Sequence, residues 1–288
     1  MKSRYITVAG RTILIRESAT TNAGGRGKKR RPKENVTPDA VAKVNKVNRE
    51  RELTAKLNHN FVPGDLWITL TYENDPSFGE ELDREECMKR LRNFRKNIQR
   101  WARKNHYQVK MIDSFGYGER LGRPHHHIVM SDVPTEVLAK YWRSGHVHIE
   151  VLHGYNYQRI AKYMLKNAET SEDGKMKRSY NCTRNIVTPQ TRRQIMKSTE
   201  VTHDIEDIKP FSGYQVDRDS VYQYEHPIFE INCIEYVLVS LEPEPRLTRW
   251  SKGRKVREEK QYAAAWPQQL CFGMEDGTCR TRSGRISE

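Results

Sequence analysis

The stretch RLGRPHHHIVM, from Arg120 to Met130, begins with turn-forming residues and ends with residues typical of a buried strand. Because side chains alternate between the two faces of a strand, His125 and His127 project to one side and His126 to the other. A preceding strand that ends near Tyr117 would pair with this one across the turn. The sequence therefore predicts an antiparallel hairpin that directs two imidazoles toward one point.

Strands and helices alternate on both sides of this hairpin. The periodicity of the apolar residues predicts strands over 66–72 and 147–152 and helices over 35–60, 83–104, 133–142 and 157–168. In the first of these strands, Trp67, Thr69 and Thr71 share one face. Two outer regions are also strand-like, since residues 5–15 predict a hairpin or arm and residues 228–239 predict a strand.

A pair of histidines on one strand face is a candidate site for a divalent metal ion. The chain holds two such pairs, His125 with His127 and His146 with His148. The first pair follows a turn and leads into a buried strand that would hold both rings firmly, so we prefer it as the metal-binding pair. The second pair is expected to be structural or close to DNA.

Two histidines rarely suffice for a catalytic divalent ion, and a third ligand with an oxygen atom is expected. Glu119 would lie beside His125 at the mouth of the hairpin, with the parity to face the same side. Asp113, farther down the same strand, is the alternative. Either carboxylate could instead be an ordinary surface charge.

The helix over 157–168 contains a candidate nucleophile. Its apolar residues cluster on one arc, and Tyr163 falls outside that arc. Lys166, three residues later, and Arg159, four residues earlier, lie beside Tyr163. Two cations next to a tyrosine oxygen can ease its deprotonation and neutralise charge on a phosphate. The alternative interpretation is a surface tyrosine in a basic patch.

The charge of the chain indicates a polyanionic partner. The formal net charge is +14 at pH 7 and the pI is near 9.5, values that favour a nucleic acid. Residues 20–33 form a Gly- and Arg/Lys-rich segment, interpreted as a phosphate-contacting arm or a solubilising tail. Further expected DNA contacts come from four cations: Arg120, Arg123, Arg159 and Lys162.

Several classes of protein are disfavoured by what the sequence lacks. No apolar run approaches the length of a membrane span, and the N-terminus has no apolar core suited to a signal peptide, so a cytoplasmic location in a bacterial host cell is expected. Five scattered cysteines include no C-x-x-C pair, which argues against a zinc ribbon and a disulfide framework.

Three segments occur in an order typical of a known family. Residues 67–72, residues 122–127 and residues 163–166 resemble motifs I, II and III of HUH endonucleases. Among these enzymes, the chain most resembles the rolling-circle replication initiators (Rep proteins) of small bacterial plasmids and single-stranded DNA phages. The resemblance extends from Asp65 to Asn167.

This resemblance implies an α+β fold with a central five-stranded antiparallel sheet flanked by helices, related to the ferredoxin-like or RRM arrangement. It implies that His125 and His127 bind Mg²⁺ or Mn²⁺ on a central strand. Tyr163 would then attack a single-stranded DNA origin, forming a 5′-phosphotyrosine and a free 3′-OH before strand transfer. The sequence contains no P-loop motif, so a host helicase and the host replication machinery are the expected partners, and a homo-oligomer is possible.

The chain departs from the family pattern at three positions. Gly116 stands where related initiators often carry a carboxylate, and Arg159 stands where some carry a second tyrosine. His126 occupies a position that is usually bulky and hydrophobic. Alternative interpretations are a single-tyrosine transposase, a relaxase, or a non-catalytic protein that binds single-stranded DNA.

The expected organisation of the chain has four parts. They are an arm with a basic segment and a helix over 1–60, a catalytic domain over 61–200, a β-rich extension over 201–241, and a poorly ordered polar tail over 242–288.

Overall fold

The computed structural model describes residues 2–19, 39–73, 83–117, 123–169, 179–196, 205–226 and 230–242. Its strands are β1 (Lys2–Ala9), β2 (Thr12–Ala19), β3 (Leu66–Thr71), β4 (Met111–Tyr117), β5 (Pro124–Met130), β6 (Val147–Val151), β7 (Asn181–Cys182), β8 (Thr191–Met196), β9 (Tyr214–Glu225) and β10 (Asn232–Ser240). Its helices are α1 (Asp39–Asn60), α2 (Arg84–Lys104), α3 (Thr135–Tyr141) and α4 (Gln158–Glu169). The basic segment predicted at 20–33, the residues Glu119 and Arg120, and the tail from 243 onward lie outside the described residues.

The central sheet has five antiparallel strands in the order β6-β3-β5-β4-β7. The predicted hairpin is its β4–β5 pair, and β5 is the middle strand. With helices on both faces of this sheet, the predicted α+β class and five-stranded antiparallel sheet are confirmed.

One face of the central sheet is covered by α2 and α3. The helix α2 carries an apolar stripe and is otherwise polar, with acidic residues in its first turn and basic residues in its last, as the helix dipole favours. Its buried residues are Cys87, Leu91, Phe94, Ile98 and Ala102. They pack against strand residues such as Ile68 and Ile128, which are fully buried.

The opposite face carries His125 and His127, and we call it the histidine face. It is partly covered by α1 and α4, whose apolar residues pack against Trp67, Ile112 and Val129. The helix α4 lies closest to β4 and α1. The outer strand β6 keeps its residues on this face exposed, so the histidine face is open on one side.

A second five-stranded sheet has the order β8-β1-β2-β10-β9. The N-terminal hairpin β1–β2 turns at Gly10, whose φ is +59° and whose position leaves no room for a side chain against the carbonyl of Asn58. The strand β2 pairs with β10, so segments on either side of the central sheet meet in one sheet. Alternation predicts that a segment is a strand but does not identify its partner.

The helix α1 lies between the two sheets. Leu53 and Leu57 pack toward the central sheet, while Ala55 packs against Ala9 and Leu14 of the second sheet. Opposite sides of one helix are therefore both buried.

A buried amide on α1 ties the two sheets together. The Nδ2 of Asn58 donates to Thr12 Oγ1 at 2.9 Å, and its Oδ1 accepts the backbone N–H of Tyr157 at 2.8 Å. Tyr157 directly precedes α4, so Asn58 joins the second sheet to the start of the helix that carries Tyr163.

Candidate active site

His125 and His127 lie on the same face of β5, with their ring centroids 4.7 Å apart. The middle strand of the sheet holds the backbone of both residues, because Thr69 and Ser114 pair with His127 from either side. His127 is buried, with 4% of its surface exposed, and His125 is half-buried. The structure thus brings together the two imidazoles that the sequence selected.

The ring of His127 is fixed on both sides. It stacks on Trp67 with centroids 5.0 Å apart and an interplanar angle of 5°. Its Nδ1 lies 3.1 Å from Thr69 Oγ1, within hydrogen-bonding distance. Its Nε2 is buried and has no hydrogen-bond partner among the described residues. A buried ring nitrogen without a partner is costly unless a ligand meets it.

Burial also controls the charge of this histidine. Desolvation, followed by the neighbouring His125, lowers the pKa of His127 to about 3. The ring is therefore neutral at neutral pH, which is the form that binds a metal ion.

His125 presents a ring nitrogen in a similar way. Its Nδ1 donates to the backbone carbonyl of Arg123 at 3.2 Å, which leaves Nε2 as the unprotonated nitrogen of the neutral ring. Burial lowers the pKa of His125, while the hydrogen bond to Arg123 acts in the opposite direction. Both histidines therefore have one nitrogen anchored and one nitrogen available.

His126 faces the other side of the sheet, as the alternation predicts. It is fully buried and lies 2.7 Å from the hydroxyl of Tyr72 through its Nε2. The Tyr72 hydroxyl donates to the carbonyl of Cys87 at 2.9 Å, so Nε2–H of His126 must be the donor to Tyr72. Burial, the largest cause, lowers the pKa of His126 to about 3. A hydrogen-bond chain thus accommodates a histidine where a hydrophobic residue is usual.

Tyr163 lies against the histidine pair. Its ring meets His127 edge-on at a centroid distance of 5.0 Å, and it meets Trp67 in the same manner at 6.2 Å. Its side chain is 48% exposed, whereas Met164 and Leu165 beside it are buried. The helix α4 therefore buries its apolar side and presents Tyr163 beside the two imidazoles.

Two neighbouring tyrosines have different surroundings. Tyr157 is buried and its hydroxyl donates to the carbonyl of Gly154 at 2.8 Å. The ring of Tyr155 lies under the guanidinium of Arg11, 4.7 Å away. Neither makes a ring contact with the histidine pair among the residues that the structure describes, so Tyr163 is the better candidate nucleophile.

The predicted cations have different neighbours. Arg159 forms an exposed ion pair with Asp219 of β9 at 2.8 Å, a partner sixty residues away that the sequence did not reveal. Lys162 and Lys166 are exposed on α4, and Arg123 is exposed at the start of β5. The lysines and Arg123 are therefore accessible to a phosphate backbone, while Arg159 is engaged with Asp219.

The prediction that Asp113 could be the third ligand is wrong. Asp113 pairs with Ile128 and therefore points to the face opposite His125 and His127. There it is almost completely buried, 2.9 Å from Arg95 and 3.1 Å from Nδ2 of Asn181. Burial raises the pKa of Asp113, although Arg95 and Asn181 act to lower it. This carboxylate belongs to the packing of α2 on the sheet.

The register of β4 also bears on Glu119. Gly116 pairs with His125 and Ser114 pairs with His127, so the even-numbered residues of β4 share the histidine face. The parity argument for Glu119 therefore does not follow the alternation observed in β4. Among the described residues, no group of three potential His, Cys, Asp or Glu ligands is found.

Sequence reasoning missed a hydroxyl at this site. Ser114 lies directly across from His127, and its Oγ is buried with no hydrogen-bond partner among the described residues. The signal was present in the sequence, but it could be used only once the register of the hairpin was known.

The second histidine pair lies on the same face of the sheet. His148 pairs with Thr69, which in turn pairs with His127 on the far side of β3. His146 and His148 are exposed, and Nε2 of His148 lies 3.1 Å from Glu150. Exposure argues against a structural core role and leaves this pair on the open part of the histidine face.

A comparison with family models matches residues 65–168, the part of the chain that carries this site, to a family of replication-associated proteins, described under the name ORF2. The matched range coincides with the segment on which the resemblance was based. No curated protein and no solved structure matches the chain. No helix among the described residues is both long enough and apolar enough to cross a membrane. Residues 65–168 are therefore similar to replication-associated proteins, a finding consistent with a role in the initiation of replication.

Proposed function

We propose that this protein is a single-tyrosine HUH endonuclease that initiates rolling-circle replication by nicking a single-stranded DNA origin. One observation carries the proposal: the exposed ring of Tyr163 lies edge-on to His127, whose Nε2 is buried and unpaired among the described residues. A nucleophile and a metal-binding nitrogen thus lie side by side on an open face of the sheet.

The two imidazoles fit a divalent ion. His125 and His127 would hold Mg²⁺ or Mn²⁺ through their Nε2 atoms, because the Nδ1 of each is within hydrogen-bonding distance of a protein oxygen. We retain Glu119 as the proposed third ligand, and Ser114 is a second oxygen close to His127. When bound, the ion would polarise the scissile phosphate and reduce the cost of its developing charge.

The side chains of α4 would carry out the bond exchange. The Oη of Tyr163 loses its proton and forms a bond to the phosphorus, giving a 5′-phosphotyrosine. The bond from phosphorus to the 3′ oxygen breaks, and that oxygen takes up a proton to become a free 3′-OH. Lys166 and Lys162, both exposed on the same helix, would neutralise phosphate charge during the exchange.

The reverse reaction would join strands. A 3′-OH that attacks the phosphotyrosine restores a phosphodiester and releases Tyr163, so strand transfer needs no external energy source. Arg123 at the start of β5 is a proposed DNA contact, as are Arg120 and Arg159, although Arg159 would have to leave its ion pair with Asp219. A host helicase would open the duplex, since the sequence has no P-loop motif.

A covalent adduct tests the proposal directly. The protein is incubated with Mn²⁺ and single-stranded oligonucleotides that carry the origin, and the DNA-linked peptide is identified by mass spectrometry. We expect the adduct on Tyr163, its loss in Tyr163→Phe, and its retention in Tyr155→Phe. An adduct on another tyrosine would overturn the site. Unchanged activity in Tyr163→Phe would favour a protein that binds single-stranded DNA without cutting it.

A further inference from the structure

A groove that the proposed reaction does not use lies on the second sheet, between the first half of α1 and β9. Its cavity has a volume of about 270 Å³. We call it the tyrosine groove and define it by five of its lining residues: Arg16, Lys43, Tyr222, Tyr224 and His226.

Two stacked tyrosines form one wall of the tyrosine groove. The rings of Tyr222 and Tyr224 have centroids 5.3 Å apart and an interplanar angle of 22°. The hydroxyl of Tyr224 donates to Glu235 at 2.6 Å, which fixes that ring, while Tyr222 is 51% exposed. An exposed aromatic ring supported by a second ring is a suitable surface for a nucleic-acid base.

Two cations lie beside these rings. Arg16 lies across β10 from Tyr222, because both residues pair with Glu235. The guanidinium of Arg16 lies 4.2 Å from the ring centre of Tyr5, and its Nε is buried with no hydrogen-bond partner among the described residues. Lys43 is exposed on α1 at the groove.

The carboxylates around the groove do not cancel this charge. Glu235, the nearest acidic neighbour of Arg16 in the sheet, is already engaged by Arg51 and by the Tyr224 hydroxyl. Glu225 also lines the groove, so Arg16 and Lys43 face one remaining carboxylate. Burial, followed by the charge of Arg16, lowers the pKa of His226, which keeps this ring neutral at neutral pH. The groove is therefore suited to an anion that also has a flat, apolar part.

We propose that the tyrosine groove is a second binding site for single-stranded DNA, with a base stacked on Tyr222 and backbone phosphates next to Lys43 and Arg16. A single strand offers both the stacking surface and the phosphates that this combination of side chains matches. The groove lies on a different sheet from His127 and Tyr163, and its binding role does not depend on the nicking reaction.

Binding is measured by fluorescence anisotropy with a labelled oligo-deoxythymidylate a few nucleotides long. All variants are made in full-length Tyr163→Phe protein, so that cleavage cannot affect the result. We expect Tyr222→Ala to weaken binding by about 5- to 100-fold and Tyr222→Phe, which keeps the stacking ring, to bind like the parent. Lys43→Ala should reduce the slope of log affinity against log salt by about 0.7, the value of one phosphate contact on a single strand.

Lys209→Ala is the matched control for the loss of a charge, since Lys209 is exposed outside the groove. It should bind like the parent, because its position beside Ile208 places it next to the other face of the second sheet. Circular dichroism of each variant confirms that the fold is kept.

A cross-link locates the strand. An oligonucleotide with 5-iodouracil is irradiated on the Tyr163→Phe protein, and we expect the linked peptide to contain Tyr222 or Tyr224. The proposal is overturned if the only linked peptides come from the histidine face, or if Tyr222→Ala binds as tightly as the parent. Neither result would affect the proposed nicking function, because that function depends on the adduct formed by wild-type Tyr163.

Discussion

Three consecutive histidines differ in role because each meets different surroundings. His127 is stacked on Trp67 and keeps one buried nitrogen without a partner among the described residues. His125 is more exposed and is anchored by the carbonyl of Arg123. His126 points into the core on the opposite face, where Tyr72 accepts its ring N–H. Strand alternation separates two histidines suited to a ligand from one suited to packing.

At the residue scale, we expect His127→Ala to lose metal-dependent nicking while it keeps its affinity for single-stranded DNA. Loss of a ligand should cost more than the ~10- to 100-fold that the loss of an outer-shell partner typically costs. Nicking rates with Mn²⁺ and anisotropy on the same oligonucleotide measure the two effects. His148→Ala, on the exposed edge strand of the same face, serves as the control. Equal loss in both variants would contradict the choice of His127 as the ligand.

A second prediction at this scale concerns Tyr72. Tyr72→Phe removes the acceptor of the buried His126 N–H, and an unsatisfied buried donor costs about 1–3 kcal/mol of the free energy of unfolding. Urea unfolding measures this loss. Tyr141→Phe, at a half-buried tyrosine of α3, is the control and should change stability less. A stability of Tyr72→Phe equal to that of wild type would show that the hydrogen-bond chain contributes little.

Residue directions could be predicted only where one strand was sufficient. The opposite directions of His126 and His127 follow from alternation along β5 alone. The direction of Asp113 relative to His127 depends on how β4 and β5 align across the turn, and the register places Ser114 opposite His127 instead. A shift of one residue in register reverses the face of every side chain, which is why Asp113 was assigned wrongly.

At the scale of the element, α1 determines how the two sheets meet. Its buried Asn58 holds Thr12 of the second sheet and the N–H of Tyr157, just before α4. The position of α4, and therefore of Tyr163, depends on this contact as well as on apolar packing.

We expect Asn58→Leu to destabilise the fold and to impair nicking, because the buried N–H of Tyr157 loses its acceptor at a cost of about 1–3 kcal/mol. The unfolding midpoint in urea and the nicking rate at a temperature where the variant is folded measure both effects. Asn45→Leu, an exposed position on α1, is the matched control. A slower rate in the folded Asn58→Leu protein indicates a displaced α4, whereas an unchanged rate limits Asn58 to stability.

The elements were easier to predict than their partners. The helix predicted over 83–104 is observed as α2, and the strand predicted over 66–72 is observed as β3, because each has a strong apolar period. The pairing of β2 with β10 was not predicted, since it joins segments more than two hundred residues apart in the sequence. The pairing follows from the burial of apolar side chains from both strands, and no local pattern specifies it.

At the scale of the whole molecule, a buried charge cluster lies inside the second sheet. Glu17 of β2 is fully buried and lies 2.8 Å from Lys2 and 2.7 Å from Arg4, both of β1. Burial alone would raise the pKa of Glu17, but the hydrogen bonds and charges of Lys2 and Arg4 lower it below its ordinary value. The carboxylate therefore stabilises the native state in its charged form.

This cluster predicts how stability depends on pH. Because the folded pKa of Glu17 is lowered, the unfolded state binds the proton first, and stability is lost as the pH falls below about 4.5. Glu17→Gln should cost about 3–5 kcal/mol at neutral pH, since it leaves buried cations unpaired, and it should flatten the acid slope. Urea titrations from pH 7 to the acid range measure both effects. Glu85→Gln, an exposed carboxylate of α2, should change neither the stability nor the slope. An unchanged slope in Glu17→Gln would contradict the assignment.

The pairing of β2 with β10 also governs the order of synthesis. Ribosomes release β2 among the first residues, but its neighbour β10 emerges only after the whole central sheet has been translated. Until then one edge of an apolar strand stays open to other nascent chains. Chains that stop short of β10 should therefore aggregate even when their catalytic segment is intact.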